Sequence, residues 1–247
     1  MRIVVWSAKG GAGKTPISTN IALDLEYCLA TNEKYNVYGN LDCFTEDDNF
    51  LEVRLQDAFP TLPADFDVVF DLAGAIDTIA ESIKSAVRQA DVIIVPIQNE
   101  FKSLIGGIST IRECQPFGKP IIVVTTKLEK DRKDIFTDDW TESADFKNVK
   151  KSVLDVIDSS DTDIQFLPLR RSKIFDTIFD EEKSIAQIME VDPLVRYQQR
   201  VVNDQFKAIY AALERIDSMS QVSVDQQPIT AQSTRVAHRK DAEAITH

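Results

Sequence analysis

Short apolar runs alternate with stretches of helical period along most of this chain. Arg2 to Ala8 is apolar and leads into a glycine-rich turn. Ile17, Ile21, Ala22, Leu25, Cys28 and Leu29 then recur at helical spacing, which predicts a helix closing near Ala30. Further strands are predicted at Tyr35 to Leu41, Phe66 to Asp71, Asp91 to Pro96, Lys119 to Lys127 and Asp163 to Leu169. Ile83, Ala86, Val87 and Ala90 mark one intervening helix, and Leu104, Ile105, Ile108 and Ile111 another, while a short helix begins at Ser152. Val195, Val202, Phe206, Ile209, Leu213 and Ile216 keep helical spacing through a final helix from Pro193 to Ser218. Strands that alternate with helices predict an α/β fold, a doubly wound and mostly parallel sheet with right-handed connections and helices on both faces.

Composition narrows this picture. With 247 residues, 43% of them hydrophobic, the chain can bury one substantial core and is too short for two full-sized domains. Residues 1–218 are expected to form that domain, and 219–247, rich in Ser, Gln, Thr and Asp, a disordered tail. No apolar stretch is long enough to cross a bilayer, and Lys9 and Lys14 interrupt any secretory pattern, so a cytoplasmic protein is expected. The tail has no basic amphipathic helix of the membrane-binding kind, and no membrane partner is expected. A net charge of −12 and a pI near 4.7 disfavour a surface that binds nucleic acid everywhere. Any such contact must be concentrated in a local patch and be sensitive to salt. Cys28, Cys43 and Cys114 are odd in number and lack metal-ligand spacing; Cys28 and Cys114 fall in helix-like segments as packing residues.

The chemistry concentrates at Lys9-Gly10-Gly11-Ala12-Gly13-Lys14-Thr15, set between the first strand and the first helix. Glycines there let the backbone approach a polyphosphate, and several N–H groups together with the start of a helix point at the anion. Lys14 would pair with phosphate oxygens and the Thr15 hydroxyl would hold Mg²⁺. The plain alternative is an ordinary strand-to-helix turn. Asp71 closes an apolar strand ahead of the small residues Leu72-Ala73-Gly74-Ala75, a pattern suited to a carboxylate in a Mg²⁺ shell, and equally to a helix cap or turn residue. Asp42, in Asn40-Leu41-Asp42-Cys43, is either a strand-end carboxylate beside the turn or a turn-initiating residue.

The Lys-Gly-Gly-x-Gly-Lys-Thr form, with Ala8 where a generic P-loop has its first glycine, resembles the deviant Walker motif of the ParA/MinD family of ATPases. The resemblance covers roughly Met1 to Ser218 and implies ATP and Mg²⁺ as ligands. It implies an ATP-sandwich homodimer in which Lys9 reaches the partner's nucleotide and Gly10, Gly11, Ala12, Gly13 and Lys14 cradle the phosphates. Thr15 and Asp71 would serve Mg²⁺, and Asp42 the attacking water. Thr126, Lys127 and Pro168 would lie near the base, the last in a loop at the exit of its strand. Two departures bear on activity. Pro16 replaces a residue whose N–H and hydroxyl contact the α-phosphate in the family, implying weaker binding, and Asn40 and Cys43 replace the Asp and Pro of Asp-x-Asp-Pro, implying slow turnover.

Arg170, Arg171 and Lys173, joined by Lys150 and Lys151, form the best basic patch on an otherwise acidic chain. It can serve phosphate contacts to non-specific DNA, or consist of solvated charges and ion pairs with Asp176 and Asp180. The acidic Glu46-Asp47-Asp48 is a solvated loop in a connection shorter than the family's, and no motif is found from Glu129 to Lys151. The turn lies close to Met1, so no N-terminal operator-reading extension is expected. The implied function is a ParA-like ATPase in plasmid or chromosome partition, stimulated by a cargo-bound adaptor. The alternatives are a nucleotide-gated positioning or recruitment protein without DNA binding, and a hydrolysis-deficient adaptor.

Overall fold

Strand β1 (Arg2–Val5) lies inside a parallel sheet in the computed structural model, which describes residues 1–46, 48–63, 65–74, 80–130, 138–158 and 162–225. The other strands are β2 (Cys28–Thr31), β3 (Phe50–Glu52), β4 (Val68–Asp71), β5 (Val92–Ile97), β6 (Ile121–Leu128) and β7 (Ile164–Arg170). Their order is β3-β2-β4-β1-β5-β6-β7, and every pairing is parallel. The chain moves outward from β1 on one side to β2 and β3, then returns to β4 and crosses to β5 on the other. That reversal puts the carboxyl end of β1 at a switch point, where open α/β sheets leave a crevice.

Period-two alternation sends successive strand residues to opposite faces. Ile3, Val5, Val69, Ile94, Ile122 and Val124 face a core shared with α1 (Lys14–Leu25), α5 (Ile174–Glu181), α6 (Ile185–Val191) and α7 (Pro193–Asp225). Val4, Phe70, Ile93, Val95, Ile121 and Val123 face a second core against α2 (Glu81–Gln89), α3 (Phe101–Cys114) and α4 (Ala144–Leu154). The doubly wound fold with helices on both faces is therefore as the alternation of elements predicts, and the sheet is wholly parallel.

Several elements differ from expectation. Helix α1 stops at Leu25, because Glu26 takes a left-handed conformation and its N–H bonds back to Ala22. Cys28 and Leu29 belong not to that helix but to β2, where Leu29 and Ala30 are fully buried. A four-residue apolar run fits either period, so spacing alone misleads here. Tyr35 to Leu41 is not a strand: the Asn36 side-chain oxygen accepts from the N–H groups of Tyr38 and Gly39 and turns the chain into a single 3₁₀ turn at Tyr38–Asn40. Strand β3 and helices α5 and α6 have no counterpart in the sequence reading. Helix α4 starts before Ser152, at Ala144, with the Ser143 side chain accepting from the Phe146 N–H. Helix α7 continues to Asp225, past Ser218. Asp47, Ala75 and the tail from 226 onward lie outside the described residues. Among the described residues no helix is long and apolar enough to cross a membrane.

Gly107 in α3 shows how tightly the second core is closed. A Cβ there would stand 2.4 Å from Ile97 Cδ1 and 2.5 Å from its Cγ1. Gly107→Ala gains helix propensity worth up to about 1 kcal/mol, but overpacking of this kind costs about 1–3 kcal/mol. The expected net result is a loss of about 1–2 kcal/mol in urea unfolding, with the slope unchanged.

Candidate functional site

The turn after β1 is held by its carbonyl oxygens. Gln98 Nε2 donates to Gly11 O at 2.6 Å, Lys127 Nζ to the same oxygen at 2.9 Å, and Thr126 Oγ1 to Ala12 O at 2.7 Å. Lys9 Nζ folds back onto Gly10 O at 2.8 Å. Among the described residues, the side-chain hydrogen bonds that reach Gly10, Gly11 and Ala12 all end on carbonyls, and in each peptide group so anchored the N–H points the opposite way. Behind it, the Ala8 N–H donates to Thr110 Oγ1, and a Cβ on Gly74 would stand 3.0 Å from Ala8 O. Gly11 and Gly13 have φ of 76° and 96°, a region an L side chain rarely adopts, and a Cβ on Gly11 would meet only open space. Gly13 caps α1 without a side-chain bond, and the first turn carries no acid. An uncapped helix start facing an open backbone concavity fits a phosphate.

Lys14 is the first residue of α1, and its side chain is only 5% exposed. Its ammonium lies 3.4 Å from Glu33 Oε1. Asp71, at the end of β4, is fully buried: Tyr38 OH donates to one carboxylate oxygen at 2.9 Å, Ser18 Oγ approaches the other at 3.2 Å, and Thr15 adds a hydrogen bond. Burial pushes its carboxyl up to about 6; Lys14 and the hydrogen bonds of Tyr38 and Thr15 oppose that rise, and Glu33 adds to it. Among the described residues no group of three or more His, Cys, Asp or Glu could hold a metal unaided. The Thr15 hydroxyl and Asp71 are instead a sparse oxygen set, of the kind Mg²⁺ uses when phosphate and water supply its remaining ligands.

The structure brings Lys14, Thr15 and Asp71 together, while the Lys9 side chain contacts Gly10 O and packs beside Gly106. It does not bring Asp42 to them by the route the sequence suggests, since the strand meant to end there is a turn and Asp42 is exposed in a loop. Glu33 instead follows β2, with its carboxylate in the site. The sequence carries the signal, an acid just after a short apolar run, but that run also fits the end of a helix. Nothing in the spacing of Tyr38 marks it. Asn32 occupies the position before Glu33 and ties the loop after β4 in place, accepting from the Ala73 N–H at 2.6 Å and donating to Ser82.

A cavity of about 260 Å³ opens beside the loop, lined by Gly13, Pro16, Thr126, Lys127, Leu169 and Arg171 among others. Pro16 sits in the first turn of α1, where its missing N–H costs nothing. Pro168, a residue of β7, pairs with Thr125 of β6, and it is the neighbouring Leu169 that lines this cavity. Of the basic patch, Arg171 is paired with Glu129 at 2.7 Å, the Arg170 guanidinium lies 5.6 Å from the Trp140 ring centre, and Lys150 lies 5.9 Å from that of Phe166. Lys173 and Lys151 are exposed. Cys28 is a strand residue, and burial pushes the Cys43 and Cys114 thiols up to about 12, so neither is a nucleophile at neutral pH.

The doubly wound parallel fold is shared with the solved structure of McdA. McdA from Cyanothece, without nucleotide, superposes over 83% of this chain and 98% of its own at 14% identity, with a TM-score of 0.55. An ATP complex of an Asp-to-Ala variant of Cyanothece McdA covers 84% and 96%, at 12% identity and a TM-score of 0.50. A putative plasmid partition protein from Borrelia burgdorferi bound to AMPPNP aligns more loosely, at 15% identity over 83% and 98% with a TM-score of 0.48. No protein-family model and no curated protein sequence matches the chain.

The raised Asp71 carboxyl has a measurable consequence. Between its ordinary value of 3.8 and about 6, the folded protein holds a proton that the unfolded chain has released. Its contribution to stability is therefore full below about pH 4 and is lost as pH rises through 6, by at most about 3 kcal/mol. Urea unfolding of the ligand-free protein across this range, compared with Asp71→Asn, is expected to show the decline in the wild type and a flatter profile in the variant.

Proposed function

We propose that the chain is an ATP-driven switch of the ParA type, which binds Mg–ATP in the turn after β1, pairs with a second copy when loaded, and hydrolyses ATP slowly. The observation that supports this most is the carbonyl-anchored turn with buried Lys14 on one side and Thr15 and Asp71 on the other. Lys14 would take phosphate charge, and Thr15 and Asp71 would hold Mg²⁺. The metal would supply neutralisation of the charge that builds on the phosphates. Gly10 to Gly13 would donate N–H groups, and the cavity beside Pro16 and Thr126 would receive the base. Lys9, at the mouth of the loop and half-buried, is the residue proposed to serve the partner's nucleotide. An adaptor that stimulates hydrolysis, and a role in partition, belong to the same reading.

DNA binding is the finer part of the proposal. It needs Arg170, Arg171 and Lys173, and the pairing of Arg171 with Glu129 and the stacking of Arg170 on Trp140 favour a second reading, a positioning or recruitment protein that binds no DNA. The hydrolysis-deficient adaptor draws its support from Asp42 and Asn40 standing away from the expected strand end.

Calorimetry with ATP or ADP and Mg²⁺ is expected to show binding that Lys14→Ala abolishes and Pro16→Thr tightens several-fold. Sedimentation with a slowly hydrolysed ATP analogue is expected to show a larger particle. No heat of binding would remove the proposal; an unchanged sedimentation coefficient would remove the pairing. DNA retardation at low salt with ATP, lost on combining Arg170→Ala with Lys173→Ala, separates the partition reading from the recruitment one.

A further inference from the structure

Among the described residues, Glu33 is the acid whose carboxylate forms an ion pair with Lys14, and it is held there from both sides of its own backbone. Its N–H donates to Thr31 Oγ1 at 3.2 Å, and its carbonyl accepts from Asn36 Nδ2 at 3.1 Å. Thr31 Oγ1 in turn donates to Asp71 O at 2.9 Å, and the turn that follows is anchored by Tyr38, whose hydroxyl reaches the Asp71 carboxylate. Tyr38 is itself fully buried against Phe44 and Phe50. The backbone around Glu33 is therefore fixed to the same acid that closes β4. Its side chain, 28% exposed, keeps a path to water that Lys14, at 5%, lacks.

A buried ammonium is stable only with an anion beside it. In this structure the anion is a carboxylate of the chain itself, standing where the Lys14 charge would meet a phosphate. We propose that Glu33 is an internal competitor for the phosphate site: it neutralises Lys14 in the free protein, must be displaced by a polyphosphate, and so sets the affinity for nucleotide. This rests on the nucleotide-binding reading above. A single weak anion gains too little to displace a carboxylate that is already positioned, whereas a di- or triphosphate brings more charge and the loop N–H groups as well. The exposed side of Glu33 lets the displaced carboxylate turn to solvent without leaving a buried charge behind. Glu33 is thus an affinity-determining residue that acts through Lys14.

The test uses the full-length protein, with ADP as the probe and both affinity and ligand-free stability as readouts. Glu33→Gln is expected to bind ADP about fivefold more tightly than wild type, while its ligand-free melting temperature falls because Lys14 loses its partner. Added ADP is expected to remove that deficit, giving the variant a larger ligand-induced rise in melting temperature than wild type. Glu46→Gln, an equal change of charge on an exposed loop, controls for net charge and is expected to leave affinity unchanged. If wild type binds ADP and Glu33→Gln binds it no more tightly, the competition is wrong while the nucleotide reading stands. The same holds if Glu46→Gln tightens binding equally. If wild type shows no ADP-induced rise at all, both fall together.

Discussion

Everything in this site depends on how the turn after β1 is oriented. A peptide group has two polar ends, and fixing one end decides where the other points. Here the carbonyls of Gly10, Gly11 and Ala12 are tied down by Lys9, Gln98, Lys127 and Thr126. Gln98 follows β5, while Thr126 and Lys127 lie in β6. The sheet is thus more than a platform, because its order places those residues against the loop. Pairing β1 with both β4 and β5 then puts an acid at the end of one neighbour and a loop-anchoring amide after the other. The switch point of the fold and the chemistry of the loop are one arrangement.

The Lys14 charge is met by acids of the chain before any ligand arrives. Glu33 pairs with it directly, and Asp71, whose carboxyl burial pushes up to about 6, stands nearby. Under the proposed competition such a site is stable when empty, and a polyphosphate would replace the internal carboxylate. It also explains why Tyr38, far from any motif, is among the most buried residues: its hydroxyl holds the Asp71 carboxylate, and its ring holds the segment that carries Glu33.

Much of the fold was legible because β4, β5 and β6 are short apolar runs buried on both faces, too short for a helix. The glycine-rich turn was legible because backbone conformation restricts Gly11 and Gly13 directly. What escaped the sequence was short or tertiary. Strand β2 has four residues and shares Leu29 with a plausible helical stripe, so its position was lost, and with it the identity of the acid beside Lys14. Asp42 drew attention by its likeness to a motif, whereas Glu33 earned its place through the register of β2 on β4, which pairs Thr31 with Asp71. Tyr38 and Gln98 act through contacts that no local pattern encodes.

The central claim is that the N–H side of this loop receives the phosphates of a nucleotide. Amide resonances of Gly10, Gly11, Ala12, Gly13 and Lys14, followed by NMR as ADP and Mg²⁺ are added, test it most directly. The account predicts that these amides shift first and furthest, in step with Asp71 and with the residues lining the cavity at Pro16 and Thr126. Loop amides that stay in place while ADP binds elsewhere, or that do not move at any ADP concentration, would contradict it.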